Sequence, residues 1–325
     1  MMSASGKATP ATALTVGTFF EAGKQDLKLE LLAGKAGLGR RIVETTVNRP
    51  GLAMTGYFGH FPRKRLQVLG LAEYGYLSAL PADEQELRLA EFFGHKVPAV
   101  VLARSKRPMD DMVRLADAKR IPLFRTRMIT KHFVNAATIL MENLSAPRTK
   151  VQGTMLEIHG IGVLIEGQAG MGKSEAALAL LQRGGALVSD DITALRLDSA
   201  RAVMASAVDV TRYHMDIRGV GIIHVPSLFG VSSVRGEKKL EMVVTLCTPE
   251  ECRVGEDNVY ARSKRRFLGV EVPRVYVPVA PGRDIANVVE TAALDHKLRV
   301  LGHDAEKELD AHLIAKVSGT RNGSE

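Results

Sequence analysis

Gly167, Gln168, Ala169, Gly170, Met171, Gly172, Lys173 and Ser174 follow one another and fit the pattern G-x-x-x-x-G-K-S. Each fixed position has a chemical use. Glycines let backbone N–H groups curl around a phosphate, and the N-terminus of a following helix adds positive dipole. A lysine at position seven reaches the outer phosphates, and the next hydroxyl can ligate Mg²⁺. A second chemical cluster lies downstream, where the apolar run Leu187-Val188-Ser189 ends in Asp190-Asp191. Two carboxylates beside a phosphate loop can hold a metal and accept a proton from an attacking hydroxyl. Being adjacent and like-charged, they repel, so a metal or a raised pKa would relieve them. A third cluster runs from Met215 to His224 and contains Asp216, Arg218, Gly219 and Gly221. Asp216 is a candidate metal ligand, and Arg218 offers a planar donor fork for phosphate.

These residues need a strand, a turn and a helix to place them. Residues 162–165 (GVLI) read as a buried strand feeding the loop, and 174–183 (SEAALALLQR) as the helix leaving it. Gly184-Gly185 supplies a helix stop. Residues 155–158, 186–189, 242–247 and 275–277 read as further strands. A long helix is expected over 283–301, with Ile285, Val288, Val289, Ala292 and Leu298 on one side. The N-terminal half alternates in the same way. Residues 66–69 and 99–102 are apolar runs between breakers, while 110–119 and 130–143 carry helical spacing. No catalytic constellation stands out there.

The chain therefore reads as α/β with two domains. Residues 1–144 form an N-terminal α/β domain whose first ten or so residues are too small and polar to order. Residues 145–151, polar and carrying Pro147, suit a linker. A P-loop domain spans 152–318, and 319–325 is a frayed tail.

Composition narrows the function classes. The net charge is +8, but the basic residues are scattered and no nucleic-acid-binding signature accompanies them. No apolar run reaches membrane-spanning length, and the N-terminus lacks a signal-peptide core. A cytoplasmic protein with neither nucleic acid nor membrane as partner is expected. The two cysteines, Cys247 and Cys252, lack zinc-site spacing and read as unpaired thiols of a reducing compartment.

Taken in order, the motifs resemble those of the bacterial HPr kinase/phosphorylase family. Arg49-Pro50-Gly51-Leu52 and the segment Arg65 to Gly70 (RLQVLG) are similar to that family's N-terminal blocks. Ala146-Pro147-Arg148-Thr149, the P-loop with Glu175 after it, and Val188 to Asp191 follow. The segment Asp216 to Ile223 (DIRGVGII) resembles E-I-R-G-L-G-I-I, and Val277 to Arg283 (VPVAPGR) resembles V-P-V-R-P-G-R. The similarity spans about residues 45 to 305. It implies a C-terminal domain like the nucleotide core of phosphoenolpyruvate carboxykinase; no H-R-D or D-F-G set of an ordinary protein kinase is present. It also implies ATP with Mg²⁺, a serine of the phosphocarrier HPr as acceptor, and a homohexamer. The reverse reaction consumes inorganic phosphate and releases pyrophosphate.

The resemblance assigns Lys173 and Ser174 to nucleotide and metal, with Asp216 as the second metal ligand. It makes Asp191 the favoured acid/base within the Asp190-Asp191 pair, and places Arg262 at the family's catalytic arginine. Three departures stand out. Asp216 replaces a glutamate, Gln152 stands where the family has a catalytic histidine, and Ala280 replaces the arginine of R-P-G. His159 is out of register and reads as structural. Glutamine cannot titrate, so the reverse reaction is expected to be the weaker. Two other readings share the loop: a P-loop small-molecule kinase, and a nucleotide-binding regulator without phosphotransfer.

Overall fold

The computed structural model describes residues 13–252 and 263–321. They divide into two compact units, with the boundary between Pro147 and Arg148.

The N-terminal unit is built on five strands: β1 (Leu29–Ala33), β2 (Val47–Asn48), β3 (Leu66–Leu69), β4 (Val100–Leu102) and β5 (Leu123–Thr126). Their order is β1-β5-β4-β3-β2, with β2 to β5 parallel and β1 antiparallel at one edge. β3 and β4 are buried at every position because apolar helices cover both faces. Alternate side chains go to opposite sides. Val68 and Val101 pack with Phe19, Phe133 and Met141. Leu69, Val100 and Leu102 pack with Leu89, Phe92 and Met112.

The C-terminal unit holds β6 (Arg148–Gln152), β7 (Thr154–Ile158), β8 (Ile161–Glu166), β9 (Ala186–Ser189), β10 (Ile192–Leu197) and β11 (Val203–Ala207). It continues with β12 (His214–Ile217), β13 (Gly221–His224), β14 (Glu237–Lys239), β15 (Met242–Cys247), β16 (Ser263–Phe267) and β17 (Val270–Pro278). A six-stranded sheet runs β16-β17-β15-β8-β7-β9, a four-stranded one β14-β11-β10-β6, and β12-β13 form a hairpin. β17, β15 and β8 are parallel, whereas β7 is antiparallel to both β8 and β9. One face of the large sheet packs Val163, Ile165 and Val244 against the helices Lys173–Gln182 and Ile285–Val300. From the other face Leu164, Val188 and Val243 meet Leu195, Val203 and Ala205 of the smaller sheet.

Several sequence expectations change. Residues 145–151 are not an open linker. The helix Thr130–Ser145 runs to Ser145, and β6 begins at Arg148, where Thr149 and Val151 pair with β10. A polar strand with one Pro before it gives no apolar alternation to read. The small sheet was missed as well: β6 and β14 are polar, and the buried positions of β10 and β11 mix Thr193 and small alanines with Leu195 and Val203. The tail expected to fray from 319 is helical through Arg321, and the rest of it, like the first dozen residues, lies outside the described residues. Cys247 and Cys252 are bonded to each other, not free. The chain leaves β15 and turns at once into the short helix Pro249–Cys252, which brings the second sulfur back to the strand end.

Candidate active site

β8, buried at all six positions, ends at Glu166. Its parallel neighbour β15 ends at the same edge, and so does β9, because two antiparallel steps through β7 restore its direction. The loop 167–172 therefore opens at the carboxyl edge of the strands, where α/β sheets bind ligands. The Asp190-Asp191 pair emerges there too.

Gly172 has φ +83 and hands the chain to the helix Lys173–Gln182. A residue with a β-carbon would be strained there. The Lys173 ammonium folds back over the loop and donates to the Gly167 and Gln168 carbonyls, both at 2.9 Å. The Ser174 hydroxyl stands 3.4 Å from Asp190 Oδ1 and 3.5 Å from Oδ2. The Gln168 side chain donates to Glu251 at 2.8 Å. Ala169 and Gly170 form the exposed crest of the loop, with Met171 against the large core.

The two aspartates are placed very differently. Asp190 is only 6% exposed. It accepts from Thr154 Oγ1 at 2.8 Å and from the Asp216 backbone N–H at 3.4 Å. Burial pushes its carboxyl above the usual range, although hydrogen bonds from Thr154, Asp216, Asp191 and Ser174 pull the other way. Asp191 is exposed, with φ +60, and its carboxylate has no hydrogen bond among the described residues. Its backbone carbonyl accepts from Gly153 N–H at 2.8 Å, and Gln152 pairs with Ile192. Gln152 thus stands beside Asp191. The hairpin backbone at Asp216 reaches Asp190, and the Asp216 side chain is on the exposed face.

Six residues singled out from the sequence come together in this way: Gln152, Lys173, Ser174, Asp190, Asp191 and Asp216. Arg262 lies outside the described residues. His159 is elsewhere, its Nε2 2.8 Å from Glu290 Oε1. Arg283 lies in the loop after β17, 3.5 Å from the Pro278 carbonyl. Sequence reasoning missed Thr154, whose bond to Asp190 is the shortest that carboxyl makes to a side chain. Its only signal was its place two residues after Gln152. Among the described residues no trio of His, Cys, Asp or Glu is arranged around a metal position. No helix there is long and apolar enough to cross a membrane.

The model of the HPr serine kinase C-terminal domain matches residues 143–313, and that of the N-terminal domain matches 14–141. The chain belongs to the HPr serine kinase family. An HPr kinase/phosphorylase of Leptospira biflexa is 38% identical over 306 residues, covering 94% of this chain and 95% of the relative. That of Geobacter sulfurreducens is 35% identical, with 92% and 94% covered, and that of Bacillus pumilus 32%, with 89% and 93%. A solved Hpr(Ser) kinase/phosphatase from Coxiella burnetii is 33% identical over 50% of this chain and 98% of its own, with a TM-score of 0.46.

Proposed function

We propose that this family member moves the terminal phosphoryl group of ATP to a serine hydroxyl of the phosphocarrier HPr. With inorganic phosphate it runs backward, releasing pyrophosphate and the free serine. The observation that carries the reading is the convergence of Lys173, Ser174, Asp190 and Asp191 at one strand edge, in a chain matched along its length by HPr kinase/phosphorylases.

The chemistry is assigned to the P-loop unit, residues 152–318, read as a nucleotide core of the phosphoenolpyruvate carboxykinase kind. Lys173 exchanges its two loop carbonyls for phosphate oxygens. Ser174 and Asp216 would hold Mg²⁺. A hydroxyl and a single carboxylate suit that ion, which keeps several waters and takes few protein ligands besides substrate phosphates. When bound, it neutralises charge on the phosphates. Asp190, buried and already accepting from Thr154 and Asp216, orients Ser174 and the hairpin. Asp191, exposed and unengaged, is the carboxylate that an incoming protein's serine can reach. It takes the hydroxyl proton as the oxygen attacks, and returns it when phosphate attacks the phosphoserine. Arg262 is assigned to charge on the transferring group. Gln152, beside Asp191, offers a neutral donor in place of a titrating one.

A cytoplasmic homohexamer is the proposed form. It rests on the family resemblance and is checked by sedimentation. Incubating the full chain with ATP, Mg²⁺ and HPr, and reading HPr by intact mass, tests the activity. The mass of one added phosphoryl, lost when the serine of HPr is replaced by Ala, is expected. An unmodified HPr overturns the proposal.

A further inference from the structure

The hairpin that carries Asp216 also carries two histidines, one on each strand. His214 and His224 are direct partners in the register of β12 and β13. Both side chains are exposed, on the face opposite buried Met215 and Ile217. Their ring centroids are 5.0 Å apart and the rings are tilted by 46°. Two imidazoles sharing a zinc ion have Zn–N bonds of about 2.0–2.1 Å. With the ring centre about 1.1 Å behind each nitrogen and a tetrahedral angle at the metal, the centroids of such a pair lie about 5.2 Å apart. The observed separation is close to that value.

The outer partners favour the ligating tautomer. His214 Nδ1 is 2.8 Å from the Arg212 carbonyl, which can only accept. Nδ1 therefore carries a proton, and in the neutral ring Nε2 carries the lone pair. His224 Nδ1 is 2.6 Å from the Ser227 hydroxyl, which can accept in the same way. An Nδ1–H held by a carbonyl or hydroxyl, with Nε2 bound, is the usual arrangement around metal-bound histidine. Among the described residues neither Nε2 has a hydrogen-bond or ion-pair partner.

We propose that His214 and His224 form a two-imidazole site for a divalent transition-metal ion of the zinc class, with water completing the coordination. Imidazole nitrogen suits zinc, copper and nickel, while hard Mg²⁺ prefers oxygen. The hairpin then offers two cations different ligands: imidazoles at one end, and the Asp216 carboxylate two residues along the same strand. The imidazole site does not depend on the magnesium assignment or on catalysis, because it is tested without nucleotide.

The test is calorimetric titration of Zn²⁺ into the full chain with its Cys247–Cys252 bond intact, in its own form and as H214N and H224N. Both side chains are exposed, so each variant should keep the parent thermal midpoint. Losing even a supporting partner of a metal ligand costs roughly 10–100-fold in affinity, so losing a ligand should weaken the tightest Zn²⁺ site by roughly tenfold or more. The double variant should be little worse than the weaker single, because one ligand alone no longer chelates. The Cε1 proton resonances of His214 and His224 should move together as Zn²⁺ is added, and millimolar Mg²⁺ should not move them. Unchanged Zn²⁺ affinity in either single variant, or resonances that respond to Mg²⁺ as they do to Zn²⁺, overturns the site.

Discussion

Thr154→Val separates the buried aspartate from its strongest neutral partner without changing the size of the side chain. Thr154 is fully buried and its hydroxyl donates to Asp190 Oδ1 at 2.8 Å. A hydrogen bond to a charged group contributes about 1.5–3 kcal/mol, and one between neutral groups about 0.5–1.5 kcal/mol. The difference, about 1–1.5 kcal/mol, is what the bond adds for ionised over protonated Asp190. At 1.36 kcal/mol per pH unit this raises the carboxyl by about one further unit. The sign follows from its starting point. Asp190 already titrates above an unfolded aspartate. Its protonated form therefore contributes stability that is full below the unfolded pKa and is lost as pH rises through the folded one. The stability deficit of T154V should then be smallest in acid and grow as pH rises through that folded value. Urea unfolding at a series of pH values reads the first effect. Because Asp190 is assigned the orienting of Ser174 and the hairpin, the acid limb of kcat/KM for HPr phosphorylation, which reports essential ionisations in the free enzyme, should move upward as well. Equal deficits at every pH, together with superimposable pH–rate profiles, would refute the coupling between Thr154 and Asp190.

Lys173→Ala removes the donor assigned to the transferring group and should lower the transfer rate by roughly 10²–10³, measured by phosphoserine formation on HPr. Asp191→Asn should slow transfer by about 10²–10⁴ while MgATP still binds in a titration; a rate within tenfold of the parent would place the base elsewhere. Gln152→His restores a titrating group beside Asp191 and should raise pyrophosphate release from phosphoserine-HPr more than it raises the forward rate. Leu164→Ala opens a cavity between the two sheets of the C-terminal unit, where Leu164 is fully buried, and should cost about 2–5 kcal/mol by urea denaturation.

Much of the site was legible because its residues carry local chemistry. The P-loop, the Asp190-Asp191 pair and the Asp216 segment each announce themselves within eight residues or fewer. The strands 66–69 and 242–247 and the helix 110–119 have the predicted bounds, since each is a strongly patterned run between breakers. What the sequence hid was long-range. Thr154 matters only because β7 lies beside β9, thirty-odd positions away in the chain. The pairing of β6 with β10 is set by partners with no apolar period of their own. The unequal burial of two adjacent, chemically identical aspartates is likewise a property of the turn at Asp191, where the positive φ throws the second side chain outward. The Cys247–Cys252 bond depends on a helix of a single turn, too short to show a pattern.

The loop 167–172 is spanned by its own lysine. With Nζ bridging the Gly167 and Gln168 carbonyls, the ammonium serves as a placeholder for the guest it is built to greet. Affinity for a phosphate is then a swap of partners rather than a net gain of contacts, and the loop need not be refolded at each turnover. The same swap works at departure: the carbonyls stand ready to reclaim the ammonium as the nucleotide leaves. Such a latch suits the two-way chemistry proposed for this chain, because an ammonium released by either nucleotide or pyrophosphate has partners waiting.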